Sequence, residues 1–254
     1  MSNGVAKFDK LNVAKDIIIA PPEKMRNGMG TICKFEPVSI QLPSMRVPWD
    51  CRPLPPMNGE GRFSCKLAMS FDERSDKLAG EHKTLFDMLS KIDTKSLAHI
   101  RQHKAKFFTK KPPSDALLTE ELYHKSVKES NGDHTPIFQS KVDFREVVAT
   151  SSVPTGEHNG SDPDVSEQGG GGKRAKVVVS GGDPEYTLNI KCFEKTGDLI
   201  PPHEALAQNN EIITIVSPQY IWQVNNRCGI TWMAKKCVVV KRNDSGNGFD
   251  FDLS

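Results

Sequence analysis

From Thr31 onward, apolar residues recur at every second position in short bursts. Ile32, Cys33 and Phe35 lead into Val38, Ile40 and Leu42, and later Phe63, Cys65, Leu67 and Met69 alternate with their neighbours up to Phe71. A period of two marks half-buried strands. The stretch 53–61 between these bursts is too rich in proline to continue a strand. After Phe71 the period changes. Leu78, Leu85, Phe86, Leu89, Ile92, Leu97 and Ile100 fall at intervals of three to four, which predicts one or two amphipathic helices over about 76–106. Pro112-Pro113 stops them, and Ser114 ahead of Asp115-Ala116-Leu117 reads as the cap of another helix, so a helical insertion spans 76–122. Tyr123 to Lys128 reads as strand and Asn131-Gly132-Asp133 as a turn, after which Phe138, Ser140, Val142 and Phe144 alternate again.

From Ala149 to Gly172 serine, glycine, proline and acids dominate, which predicts a disordered loop. Strands resume at 175–179, 186–193, 212–216, 220–225 and 230–241, with turns expected at Thr196-Gly197-Asp198 and across 225–229. Residues 1–30 read as an arm or a first edge strand, and 243–254 as a flexible acidic tail. The pattern therefore predicts a mainly β chain with a helical insertion: a small barrel over 31–242 whose core is split by the loop at 149–172. One split core is favoured over two domains, because the first half supplies too few strands to close its own sheet.

Composition narrows the chemistry. In 254 residues, Lys and Arg exceed Asp and Glu by only two, so the chain is not broadly basic. Its charge is local. Lys95, Arg101, Lys104, Lys106, Lys110 and Lys111 lie in one stretch with Phe107-Phe108, His99 and His103, and with no acid among them. Cations beside flat rings suit single-stranded nucleic acid; the alternative is a solvated helix face over two core phenylalanines. Runs such as Ile17-Ile18-Ile19-Ala20 are far too short to cross a bilayer, and no basic–apolar–small pattern opens the chain, so neither membrane nor secretion is expected. Cys33, Cys51, Cys65, Cys192, Cys228 and Cys237 form no C-x-x-C pair and read as buried free thiols. His99 and His103 have helical metal spacing but no third ligand, and no metal or cofactor is expected.

Aromatic residues outside the clearest core alternation are Trp49, Phe107, Phe108, Tyr123, Tyr186, Tyr220, Trp222 and Trp232. Phe107 and Phe108 are adjacent and so expected to point different ways, which leaves one ring for solvent. Tyr220, Trp222 and Val224 share one strand face, opposite Ile221, Gln223 and Asn225, and the aromatic face is taken as the core one. Lys235-Lys236 and Lys241-Arg242 add charge to the last strand. In the tail, Asp244, Asp250 and Asp252 are joined by Phe249, Phe251 and Leu253 in an alternation that fits a basic, apolar-floored surface. No phosphate-binding glycine loop, nucleophile elbow or H-E-x-x-H motif is present, so no enzyme is indicated.

A resemblance joins these features. Met45-Arg46-Val47-Pro48-Trp49, the strand over 62–71, Phe107-Phe108-Thr109-Lys110-Lys111 and Pro136-Ile137-Phe138 come in that order. Ile221-Trp222-Gln223-Val224 and Gly229-Ile230-Thr231-Trp232 follow, before a valine-rich last strand. The set resembles the single-stranded DNA-binding proteins of nucleocytoplasmic large DNA viruses, which are similar to the replisome binding protein of short-tailed lytic phages. The resemblance implies an OB-fold barrel and sequence-tolerant strand binding in viral replication, recombination and repair. It also implies a tail (Asp244, Phe249, Asp250, Phe251, Asp252) that regulates binding and recruits a polymerase or helicase. A homodimer and a location at viral replication sites in host cytoplasm or nucleus go with it. On this reading Arg101, Lys104, Lys106, Lys110, Lys111 and Lys235 meet phosphates, and Phe107, Trp49 and Trp222 stack on bases. The alternative is a non-enzymatic virion or scaffold component touching protein or packaged genome. A nuclease using scattered carboxylates is a third reading.

Overall fold

The computed structural model describes residues 4–26, 28–55, 63–108, 112–129, 134–146 and 186–243. The expected loop at 149–172, the strand at 175–179, the turn at 131–133 and the tail beyond Asn243 lie outside the described residues. The N-terminal segment contributes β1 (Val5–Lys7), α1 (Val13–Asp16) and β2 (Glu23–Lys24), then β3 (Gly30–Lys34) and β4 (Ser39–Arg46). β5 (Pro53–Leu54) and β6 (Ser64–Ser70) precede the helical insertion. That insertion is α2 (Gly80–Gln102), α3 (Lys104–Phe107) and α4 (Asp115–Leu117), with a π-helical turn at Leu118–Leu122. Ser114 caps α4 by accepting the Leu117 N–H, as the sequence predicts.

β7 (Tyr123–His124), β8 (Val127–Lys128) and β9 (Ile137–Lys141) lead to β10 (Phe144–Glu146) and β11 (Tyr186–Leu188). β10 and β11 pair with each other in a two-stranded sheet of their own. β12 (Lys191–Phe193), β13 (Leu199–Ile200) and α5 (Pro202–Ala205) come next. Two long strands, β14 (Glu211–Val224) and β15 (Arg227–Lys241), end the described chain.

Five strands close a ring. β4 pairs antiparallel with β6 where Arg46 meets Ser70, and β6 runs antiparallel to β9 from Lys66 to Ser70. β9 meets β15 in parallel, Lys141 opposite Met233; β15 pairs antiparallel with β14, and β14 with β4. Counted in chain order, the barrel strands are joined 1-2-3-5-4-1, and the parallel seam lies between the third and fifth. This is the five-stranded Greek-key barrel of the OB-fold. Its inward residues, among them Ile40, Leu67, Met69, Phe138, Ile212, Val216 and Val239, are at most 2% exposed and form one core.

Two strands expected at 212–216 and 220–225 are one strand. Pro218 has no N–H to donate and would interrupt a regular ladder. Here the register shifts between Pro218 and Tyr220, where β14 leaves β4 and takes up β3 as its neighbour. The β14–β15 hairpin therefore runs on past the barrel. Its turn is Asn225-Asn226 alone, at φ 49° and 65°, a backbone asparagine tolerates.

The faces of this hairpin are the reverse of the expectation. Ile221 and Gln223 are buried, and Tyr220, Trp222 and Val224 are half-buried. The helical insertion covers the Ile221 side: α3 lies against β3, the Thr31 hydroxyl donates to the Lys106 carbonyl at 3.2 Å, and the Cys228 thiol to the Leu122 carbonyl at 3.8 Å. The aromatic side is left facing out.

Asp93 of α2, 7% exposed, fastens the insertion to the strands. One carboxylate oxygen accepts the Tyr123 and Ser126 hydroxyls, each at 2.8 Å, and the other accepts the Ser126 N–H at 2.8 Å. Trp232 of β15 donates its indole N–H to the Ser126 hydroxyl at 2.9 Å. Burial outweighs these bonds and raises the Asp93 pKa above its ordinary 3.8. Truncation in Asp93→Ala leaves the buried Tyr123 hydroxyl and the half-buried Ser126 hydroxyl and N–H without this acceptor, and should cost about 3 kcal/mol in urea denaturation. The folded chain holds the Asp93 proton more tightly than the unfolded chain does. Acidification through the raised folded value toward 3.8 should therefore stabilise the native protein relative to Asp93→Asn.

Candidate nucleic-acid interface

Alternation along the segment after α4 sets the site. Tyr123 and Val127 point inward at 6% exposure each, and His124 and Lys128 face out. Asp93 holds the intervening Ser126, so the outward pair is carried on an anchored strap. β7 runs parallel to β15 with His124 beside Gly229. Glycine matters there: a Cβ would lie 3.1 Å from the His124 Cβ and 3.2 Å from the Trp222 ring. Without one, the His124 and Trp222 rings approach to 5.7 Å between centroids at 31°. Trp222 lies in a cross-strand row with Ile32 and Gly229, and Tyr220 opposite Lys34 in the neighbouring row.

The surroundings of this ring pair are positive. The pKa of His124 is lowered by burial first, then by Arg227, Lys128 and Lys66. That of Lys66 is lowered by burial, then by Lys128 and Lys141. Lys66 of β6 and Lys141 of β9 are register partners, Lys128 ends β8, and Arg227 opens β15. Three cations thus act on one imidazole and Lys141 acts on one of them, while the neighbouring Lys125 and Glu129 pair with each other at 3.7 Å. Like charges held together oppose one another, and an anion between them would relieve that repulsion. The cluster spans the second and third barrel strands, the β8 strand beside them and the turn end of the 4–5 hairpin, the region of an OB barrel that takes oligonucleotides.

The predicted cationic run is placed differently. The Lys95 ammonium donates to the Val13 and Ala14 carbonyls at 3.0 and 2.8 Å. Arg101 donates to the Thr119 hydroxyl at 2.7 Å, and Lys104 pairs with Asp115 at 2.7 Å, which holds the Asp115 carboxyl below its usual range. Lys95 fastens the insertion to α1, and Arg101 and Lys104 fasten its own helices to one another. Lys106 is exposed beside β3, and Lys110 and Lys111 lie outside the described residues. Phe107 and Phe108 are both core, at 2% and 3% exposure, so neither ring is presented for stacking. The expectation that one ring is left for solvent fails: the helix ends at Phe107, Phe108 is extended, and the two rings sit in the core with centroids 6.5 Å apart.

Trp49 is 43% exposed. Its loop is pinned by Val47 N–H to Asn210 O at 2.8 Å and Asn209 N–H to Val47 O at 2.6 Å. Lys235 is exposed on β15 but does not act on His124 or Lys66. Trp232, treated above with the possible surface aromatics, is buried at 3%. Asp244, Phe249, Asp250, Phe251 and Asp252 lie outside the described residues. The residues that do converge, Lys66, His124, Lys128, Lys141 and Arg227, were not singled out in the sequence. Each is an isolated polar position on its own strand, and only the strand pairings bring them together. Among the described residues no helix is long and apolar enough to cross a membrane.

No family model matches this chain. No curated protein matches it. Among solved structures it is similar to the single-stranded DNA-binding protein of bacteriophage Enc34 in complex with ssDNA, at 9% identity and a TM-score of 0.43, covering 89% of this chain and 97% of that one. It is also similar to gp2.5, a single-stranded DNA-binding protein encoded by bacteriophage T7, at 12% identity and a TM-score of 0.45, covering 84% and 91%. Likenesses of this size carry no argument; the fold rests on the strand pairings and the site on its charges.

If the cluster acts as a shared field, removing one cation should be felt by the others. In Lys128→Met, the His124 pKa should rise toward its ordinary value, read from the ring-proton shifts in an NMR pH titration. An unmoved midpoint would separate the two residues.

Proposed function

We propose that this chain binds single-stranded DNA without strong sequence preference and is not an enzyme. The observation that carries the reading is the gathering of Lys66, Lys128 and Arg227 around His124, with Lys141 beside Lys66, next to the outward-facing Trp222. Cations spaced along a sheet suit a phosphate backbone, and a half-buried ring offers a face for an unpaired base. Tyr220, opposite Lys34 in the row beside Trp222, extends this surface, and Trp49, Lys106 and Lys235 are exposed elsewhere and are further candidates for contact. With the resemblance drawn from the sequence, the function becomes protection of exposed strands during viral DNA replication, recombination and repair. The tail, through Asp244, Phe249, Asp250, Phe251 and Asp252, competes with DNA for cationic surface and contacts a polymerase or helicase. A homodimer and a location at viral replication sites belong to the same proposal.

Tryptophan fluorescence titration with oligo-dT, against a duplex of equal length and across a salt series, tests the reading. Single strands should quench and duplex should not. The logarithm of affinity should fall against log salt with a slope of about −3, for four cations on phosphates. Trp222→Ala should weaken binding by about 5- to 150-fold, the equivalent of one stacked base, and deletion of 243–254 should tighten it. Binding indifferent to salt and to Trp222 would defeat the proposal.

His124 adds a pH dependence. Its pKa is lowered in the free protein by burial and three cations, and a bound polyanion opposes those cations and raises it. Binding then takes up a proton, so affinity should climb as pH falls through the bound-state pKa and level off below the free-state value. His124→Gln should flatten this component in the same titration repeated from pH 8 to pH 5, a range of about 1.5 units either side of the ordinary histidine value.

A further inference from the structure

Four of the chain's thiols gather at one place in the core. Cys51, just after β4, and Cys65, in β6, have their sulfurs 3.4 Å apart. Cys192 and Cys237 are register partners across β12 and β15. Cys51 and Cys192 act on each other electrostatically, as do Cys237 and Cys51. Cys33 and Cys228 are governed chiefly by burial, which pushes each up to about 12. Among the described residues no group of three or more His, Cys, Asp or Glu side chains is arranged to hold a metal ion, so the sulfurs are better read as pairs.

The two pairs are not equivalent. Cys192 donates its proton to the Ile190 carbonyl at 3.9 Å, and a hydrogen bond with Cys192 first, then burial, raise the Cys237 pKa. In the other pair the sulfurs are 3.4 Å apart and share one hydrogen bond, which lowers the pKa of Cys65 and raises that of Cys51. Contact at that distance sets a nucleophile and a proton-bearing partner side by side, as a thiol–disulfide couple needs. The location also gives a bond there a mechanical consequence. Cys51 follows β4 and Cys65 lies in β6, and these first two barrel strands pair where Arg46 meets Ser70. β5 adds Pro53 opposite Cys65, which keeps the two cysteines side by side.

We propose that Cys51 and Cys65 are a site of reversible disulfide modification, closing the seam between the first two barrel strands. The oxidant is a small hydroperoxide. The Cys65 thiolate attacks one peroxide oxygen, the O–O bond breaks, and the leaving hydroxide takes a proton to become water. Cys65 is then a sulfenic acid. The Cys51 sulfur attacks the Cys65 sulfur as its own proton departs, the S–O bond breaks, and a second water leaves. Two thiol hydrogens and two electrons have passed to the peroxide, and a dithiol reductant reverses the change. The inference is independent of DNA binding.

The test treats the full-length native protein with hydrogen peroxide and follows intact mass, then maps peptides without reduction. The expected result is a loss of about 2 Da, the two hydrogens given up in forming one disulfide. A single cross-linked peptide pair containing Cys51 and Cys65 should carry that loss, and dithiothreitol should reverse it. Cys51→Ser and Cys65→Ser should each abolish the loss, and the map on the unsubstituted protein decides the matter even if a variant misfolds. A cross-link between Cys192 and Cys237 instead would overturn the assignment. So would six free thiols after an exposure that fully oxidises a small dithiol in the same tube.

Discussion

The buried carboxylate of Asp93 is the joint on which the outward architecture turns. Burying a charge is costly, and the raised pKa shows that its three hydrogen bonds do not fully offset that cost. What they secure is position. Tyr123 and Ser126 can reach Asp93 only if the strap between them lies along α2, and Ser126 in turn receives the Trp232 indole. One acid therefore ties helix, strap and hairpin together. With Tyr123 and Ser126 turned inward, alternation sends His124 outward, and Lys128 takes the outward place after the inward Val127. The side chains that meet solvent are fixed by groups that never do.

The same geometry explains why cations can be crowded at all. On a flexible loop, Lys66, Lys128, Lys141 and Arg227 would swing apart. Here Lys66 and Lys141 are fixed by strand register and Arg227 by a tight two-asparagine turn, so the repulsion is held in the fold and not relaxed. The acid-free run at 95–111 behaves in the opposite way. Its charge density along the chain is high, but Asp115, Thr119 and the α1 carbonyls satisfy three of its cations. Charge counted along a sequence and charge left over in a folded surface are different quantities.

That difference sets what could be read before folding. Period-two and period-four patterns located β4, β6, α2 and β9 well, because burial of one face is written locally. The Ser114 cap and the 194–198 turn were legible for the same reason. The continuity of β14 through Pro218 was not, since it depends on a change of neighbour at that residue. The outward face of Trp222 was not either. Both faces of that strand carry apolar residues, and a distant helix decides which one is covered. The cationic cluster had no local signature, because its members come from four separated strands and β7.

An outward tryptophan with cations on one side discriminates by access more than by affinity. In a duplex the bases are stacked on each other and their faces are already occupied, so Trp222 gains nothing from approaching one. The phosphates alone would then have to supply the binding, through charge that salt screens. An unpaired strand offers both elements at once, and because every base has a flat face, the ring can stack without reading sequence. Gly229 makes this economical. It leaves room for the His124 and Trp222 rings to lie 5.7 Å apart, so the imidazole braces the indole against the sheet. The selectivity of such a surface would reside in one ring, its glycine seat and the field around it.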